Sequence, residues 1–171
     1  RTIEYLRFCD LNASAQEDFH YVDCGLSFTY GSPASSVSGL SHLEGKSVVA
    51  WADGAVLPAK TVASGAVSYD TSFSKIHIGL PITSEAITLR PETPANGTSQ
   101  GKQKRIEKAV VRIYRSLGGK IGAASATKTN FLTWKSGDYK WGEIPGLYTG
   151  DLEAQIAAAL NPEATLDLLH T

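Results

Sequence analysis

Residues 47–58 read SVVAWADGAVLP, and this stretch decides the fold that the sequence predicts. Two arms of β-prone residues flank Asp53-Gly54, a dipeptide that tolerates the positive φ angles of a tight type I′ hairpin turn. The stretch therefore predicts a β-hairpin that turns at Asp53-Gly54, and a helix across it would contradict the prediction.

The residues on either side of this hairpin also follow β patterns. Residues 21–30 alternate in polarity as a strand does, and Gly31-Ser32-Pro33 is expected to stop that strand. Residues 60–69 predict a second hairpin around Ser64-Gly65, and residues 75–80 alternate towards Pro81. Five or six short strands over about 60 residues predict a small β-barrel or sandwich.

The second half of the chain is less regular. Residues 91–104 are rich in Pro, Gly, Thr and Ser and predict an exposed loop. Residues 105–119 fit a helical stripe or a strand, and their β-branched side chains favour the strand. Residues 130–135 and 165–169 are further strand candidates, whereas alanine-rich residues 153–160 leave the secondary structure of the tail, residues 150–171, open.

These patterns predict an all-β chain in which a small β-barrel module precedes a β-sandwich-like strand region. The predicted parts are a connecting segment (1–18), the barrel module (19–90), an exposed loop (91–104) and a second, incomplete β region (105–171). The 171 residues include no Met and begin with Arg1, so we expect a fragment of a larger protein. The formal net charge is −1, and no apolar run is long enough for a membrane-spanning segment.

Side chains for catalysis, cofactor binding or metal binding do not form a recognisable set. Four histidines lie far apart, no motif of a nucleophile elbow, P-loop or zinc protease is present, and the two cysteines have no metal-site spacing. Whether Cys9 and Cys24 pair stays open. Asp10, Glu17 and Asp18 fit an acidic surface better than a catalytic pair. The sequence therefore predicts no enzyme activity, cofactor or metal.

Basic residues are concentrated just before and within the first strand candidate of the second region. Six of the 16 lie within 14 positions, with only Glu107 among them: Lys102, Lys104, Arg105, Lys108, Arg112 and Arg115. One interpretation is a surface that meets phosphates; the other is a solvated strand face balanced by acidic residues after position 137. Lys102, Lys104 and Arg105 are the candidates to face DNA or a neighbouring subunit.

The order of motifs resembles that of tail-tube nozzle (tail tubular protein B-like) proteins of short-tailed bacteriophages and prophages. The motifs are YVDCGLSFTYGSP (21–33), SSVSGLSHLEGKSVVAWADGAVLP (35–58), SKIHIGLP (74–81) and GTSQGKQKRIEKAVVRIYRSLGG (97–119). The segment GLSHLEGKSV with ADGAV is also similar to the small β-barrel named after the first catalytic-cysteine half-domain of ubiquitin-activating enzymes. That second resemblance implies a fold and no ubiquitin chemistry.

The resemblance to nozzle proteins implies a virion protein, made in the cytoplasm of the bacterial host. The full-length protein is then expected to form a homo-oligomeric ring, a hexamer, that contacts the tail adaptor and other tail proteins. DNA would pass through its lumen without sequence specificity. Two alternatives are a glycan-binding or adhesion β-module on the tail exterior, with Trp134, Tyr139 and Trp141 as its aromatic cluster, and a cell-wall hydrolase domain.

Overall fold

The computed structural model describes residues 15–19, 22–92, 101–123, 129–130, 144–156, 160–161 and 163–170. Within these ranges the chain is nearly all β, every strand pairing is antiparallel, and the helical parts are two short 3₁₀ turns, Gln16–Asp18 and Ser41–Leu43. The all-β prediction is confirmed. The chain forms two compact units, Arg1–Ile82 and Thr83–Thr171.

The first unit contains one antiparallel sheet in the order β1-β4-β2-β3. Its strands are β1 (Val22–Ser38), β2 (Ser47–Ala52), β3 (Ala55–Thr61) and β4 (Ala66–Pro81). The hairpin predicted at residues 47–58 is confirmed, because Ala52 pairs with Ala55 and both turn residues have positive φ, 47° at Asp53 and 87° at Gly54. These are the angles that a type I′ turn requires.

The second predicted turn, Ser64-Gly65, is also present, and both of its residues have positive φ. It joins β3 to β4, but the two strands share only a bridge between Ala63 and Ala66, since β2 lies between them in the sheet. That bridge links the end of β3 back to the start of β4. The Ser64-Gly65 turn is therefore present, but β3 and β4 do not pair along their lengths as a hairpin.

Gly31-Ser32-Pro33 does not end the first strand, so that prediction is wrong. β1 continues to Ser38 and shifts its register against β4 between Thr29 and Ala34. A proline has no N–H to donate to a ladder, and this one lies at the irregularity where regular pairing is interrupted. β4 is likewise one 16-residue strand. Two long strands therefore replace several of the five or six short ones that the sequence indicates.

The core of the first unit is built from alternate residues of β2 and β4 and from the 3₁₀ turn between β1 and β2. Its buried side chains are Val37, Leu40, Leu43, Val48, Ala50, Ala52, Val62, Val67, Tyr69, Phe73, Ile76 and Ile78. The alternation in β2 follows from the period of two in a strand, which directs Val48, Ala50 and Ala52 to one face. A single hydrophobic core therefore supports this unit.

The hydroxyl group of Tyr69 is buried in this core and has no hydrogen-bond partner among the described residues. The ring is 5% exposed and packs edge-on against Phe73, and burial raises the pKa of its hydroxyl above the ordinary 10.0. The folded state therefore retains this proton at a pH at which the unfolded chain loses it. The resulting stability is complete below pH 10.0 and declines as the pH rises towards the folded-state pKa.

We expect Tyr69→Phe to raise the free energy of unfolding by about 1 kcal/mol at neutral pH, because it removes a buried hydroxyl without changing the shape of the ring. The variant should also lose less stability than the parent above pH 10.0. Urea unfolding at neutral and alkaline pH measures both effects. A loss of stability in the variant at neutral pH would show that the hydroxyl has a partner outside the described residues.

The second unit contains six described strands in two antiparallel sheets. They are β5 (Ser84–Ile87), β6 (Lys108–Ser116), β7 (Lys120–Ala123), β8 (Thr129–Asn130), β9 (Tyr148–Gln155) and β10 (Leu166–His170). One sheet has the order β5-β10-β7-β8, and β6 pairs with β9 in the other. Buried Ile121, Ala154 and Ile156 form the centre of its core.

Several sequence predictions fall on this unit. The strand favoured for residues 105–119 is confirmed as β6, and Gly118 and Gly119, both with positive φ, follow its end. The last predicted strand is confirmed as β10. In the tail, Glu153–Gln155 belong to β9 in spite of their helix propensity. The unit begins before β5, whereas composition indicates a boundary at 90/91.

Candidate interaction surface of the second unit

The exposed side of the β6–β9 sheet is the surface of the second unit with the most organised chemistry. Alternation along β6 directs Ala109 and Val111 towards the core and leaves the intervening residues exposed. The antiparallel register pairs Arg112 with Asp151 and Val110 with Glu153. We call this side the β6–β9 face and define it by Lys108, Val110, Arg112, Tyr114, Asp151, Glu153 and Gln155.

Charges on the β6–β9 face are segregated by strand. β6 contributes Lys108 and Arg112, the cationic row, and β9 contributes Asp151 and Glu153, the anionic row. Arg112 donates from Nε to Asp151 Oδ1 at 2.6 Å and from Nη2 to Oδ2 at 2.8 Å. Lys108 Nζ lies 2.7 Å from Glu153 Oε2. The two rows are therefore joined by two ion pairs that run from strand to strand.

The Arg112–Asp151 contact is a bidentate pair, the geometry in which a guanidinium matches both oxygens of a carboxylate. The hydrogen bonds raise the pKa of Arg112 and lower the pKa of Asp151. Both groups are therefore charged at neutral pH. Because the pair is exposed, it defines the orientation of two charges more than it stabilises the fold.

Two large apolar side chains share the cationic strand. Val110 is 61% exposed and Tyr114 is 60% exposed, and they alternate with Lys108 and Arg112 along the same side of β6. A single exposed apolar residue on a protein surface is ordinary. Here two exposed apolar side chains lie beside two ion pairs. The surface therefore combines apolar area with directional polar groups, as the contact surfaces of proteins do.

The three residues selected from sequence as DNA- or subunit-facing lie ahead of this face and not on it. Lys102 is exposed. Lys104 is half-buried, and its backbone forms two hydrogen bonds with the backbone of Asn161. Arg105 forms an ion pair with Glu107, with 3.7 Å between Nε and Oε1. Their role towards DNA or a subunit stays a prediction.

Other residues of the basic segment do reach the face. Lys108 and Arg112 do so, whereas Arg115 has a φ of 45° at the register shift, and its backbone N–H donates to Thr149 Oγ1. Sequence reasoning named acidic residues after position 137 as a possible balance but did not identify Asp151 and Glu153. Only the register of β9 against β6 singles out those two.

The two histidines of the first unit that the structure describes, His42 and His77, have hydrogen-bond partners. His77, which is buried, donates from Nε2 to the Glu17 carbonyl at 3.0 Å, and its Nδ1 lies 2.6 Å from Ser27 Oγ. His42 donates from Nε2 to the Cys24 carbonyl at 3.1 Å. Among the described residues, no group of three or more His, Cys, Asp or Glu could hold a metal ion.

Two of the three acidic candidates from the sequence lie within the described residues. Asp18 forms an ion pair with Lys75, and Glu17 is exposed on the same 3₁₀ turn. Asp10 and Cys9 lie outside the described residues, as do Trp134, Tyr139 and Trp141, the aromatic cluster of the adhesion alternative.

In the part of the chain that the structure describes, no helix is long and apolar enough to cross a membrane. No protein-family model matches the sequence, and comparison with curated proteins gives no significant match.

Proposed function

We propose that this chain is part of a non-enzymatic structural component of a short bacteriophage tail, a nozzle or tail-tube ring through which DNA is ejected. The observation that carries the proposal is the β6–β9 face, a regular sheet surface on which exposed charges and apolar side chains are arranged in rows. Such a surface suits repeated contact with other protein subunits. The proposal that these subunits belong to a phage tail rests on the order of sequence motifs, which resembles that of tail-tube nozzle proteins.

The first unit supports the proposal through the roles of its motif residues. The Glu44 carboxylate accepts hydrogen bonds from the backbone N–H groups of Ser64 and Gly65, at 2.8 and 2.7 Å. The Asp53 carboxylate accepts from the N–H groups of Ser74 and Lys75, at 2.9 and 2.8 Å. The acidic residue of the HLEG motif therefore binds the backbone of the Ser64-Gly65 turn, and that of the ADG motif links its own turn to the backbone of β4. The motifs define a rigid β-module, which a tail part needs.

The charge of the chain also suits this role. A ring that conducts DNA must not retain it, and a strongly basic lumen would bind phosphates and release counterions. The chain has a formal net charge of −1 at pH 7. In the described part of the basic segment, the ion pairs of Lys108 and Arg112 engage two of its cations.

Location in the virion tests the proposal. Gold-labelled antibodies raised against this chain should decorate the distal end of the short tail in purified particles. Deletion of the gene should yield particles with DNA-filled heads and incomplete tails, and expression of the intact gene in trans should restore infectivity. Complete, infectious particles that lack the protein would overturn the proposal.

A further inference from the structure

The two strands of the β6–β9 face carry opposite charges, and this segregation distinguishes the ways in which two copies can meet side by side. The cationic row lies on β6, and the anionic row lies on β9. A two-fold axis normal to the sheet would set either β6 beside β6 or β9 beside β9. Either contact places like charges together, which opposes association.

A head-to-tail contact sets opposite charges together instead. We propose that a second copy of this chain docks side by side with the β6–β9 face, with its anionic row beside the cationic row of the first copy. This inference rests on the proposed function, because it names the surface through which neighbouring subunits of the ring meet. A heterologous contact of this kind repeats from copy to copy and closes into a ring when the rotation between copies allows it.

The groups in the two rows retain hydrogen-bonding capacity for this contact. A guanidinium has five N–H donors, and Arg112 uses two of them on Asp151. Its side chain is 84% exposed, and that of Asp151 is 46% exposed. A carboxylate accepts more than two hydrogen bonds. Each row can therefore bind a second partner while the pairs within the chain persist.

Val110 and Tyr114 give the contact its apolar part. They alternate with the cations on β6, so a neighbour seated along the cationic row covers both. Burial of this apolar area favours association without direction, and the charges set the orientation. The contact is therefore expected to weaken with salt, because the Debye length falls from about 10 Å at 0.1 M to about 3 Å at 1 M.

Charge reversal of one row tests the proposal. Sedimentation velocity at low salt should show the parent chain associating beyond a dimer as its concentration rises. The variant Lys108→Glu with Arg112→Glu should associate at least about tenfold more weakly, because both rows are then acidic. A matched control, Lys46→Glu with Lys60→Glu, changes the net charge equally on exposed residues of the first unit and should associate like the parent.

Reversal of both rows keeps the test independent of folding. The variant Lys108→Glu, Arg112→Glu, Asp151→Lys and Glu153→Lys restores the ion pairs within the chain with opposite polarity. It should associate with itself as the parent does. It should not mix with the parent, because each row would then meet a row of the same sign, and energy transfer between differently labelled chains measures this.

Three results would overturn the inference. They are a parent chain that stays monomeric at every concentration, a discrete dimer that does not grow, and free mixing of the parent with the fourfold variant. These results separate the inference from the proposed function. If gold labelling places the protein in the tail but row reversal changes nothing, the docking surface is wrong and the function stands. If the rows control association but particles lack the protein, the function is wrong.

Discussion

Replacement of Gly79 by alanine is expected to lower the free energy of unfolding by about 3 kcal/mol, the upper end of the usual cost of overpacking. Gly79 is buried in β4, and a β-carbon on it would lie 2.6 Å from the Asp23 carbonyl oxygen and 2.8 Å from Gly25 Cα. Both neighbours are backbone atoms. They cannot move aside as the end of a flexible side chain does, so the strands must separate.

The cause of this close approach is a bulge in β1. Asp23 pairs with Leu80 and Leu26 pairs with Ile78, so two residues of β1, Cys24 and Gly25, lie opposite Gly79. The bulge includes Cys24, which has a φ of 50° and whose carbonyl accepts the hydrogen bond from His42. The extra residue brings the backbone of β1 into close contact with Gly79 of β4. A glycine is required at that point because it has no side chain.

Gly31→Ala is the matched control for this prediction. Gly31 lies in β1, and a β-carbon there would meet nothing within 4 Å. Its stability should therefore stay within about 0.5 kcal/mol of the parent. Urea unfolding followed by circular dichroism compares the two variants. Equal stability of Gly79→Ala and Gly31→Ala would contradict the packing described for β1 and β4.

The parts of the fold that follow from local chemistry could be predicted from sequence. The Asp53-Gly54 and Ser64-Gly65 turns depend on residues that adopt positive φ, and both appear with positive φ in the structure. The strand β6 was predictable because β-branched residues such as Val110 and Val111 favour extended backbone.

The parts that depend on a partner strand could not be predicted in this way. The bulge at Cys24-Gly25 and the passage of β1 through Gly31-Ser32-Pro33 become visible only in the register of β1 against β4. Turn-forming residues end a strand when pairing with a neighbouring strand does not continue beyond them. Here pairing resumes at Ala34 and continues to Ser38, so long-range pairing overrides the local preference.

The candidate surface shows the same division between local and long-range information. The concentration of cations was visible in the sequence, because Lys108 and Arg112 lie four residues apart in a strand pattern. The anionic row was not, since Asp151 and Glu153 lie about 40 positions away and face β6 only through the β6–β9 register. A sequence read by local pattern therefore gives one strand of this face and leaves its partner unassigned.

Closure into a ring is the second large effect that we expect, and it follows from the proposed function. Neighbouring subunits that meet through unlike surfaces form either a closed ring or an open filament, and a tail component that conducts DNA requires the ring. A ring also gains stability from each subunit contact, because association with the folded state favours that state. The full-length protein is therefore expected to be a stable oligomer.

The mass of the full-length protein, free and bound to its tail partner, tests the central claim most directly. Native mass spectrometry should give one discrete multiple of the subunit mass, expected to be six, and electron microscopy of the same sample should show rings with an open lumen. A monomer as the only species, both alone and in the presence of the tail partner, would contradict the assignment of this chain to a tail ring.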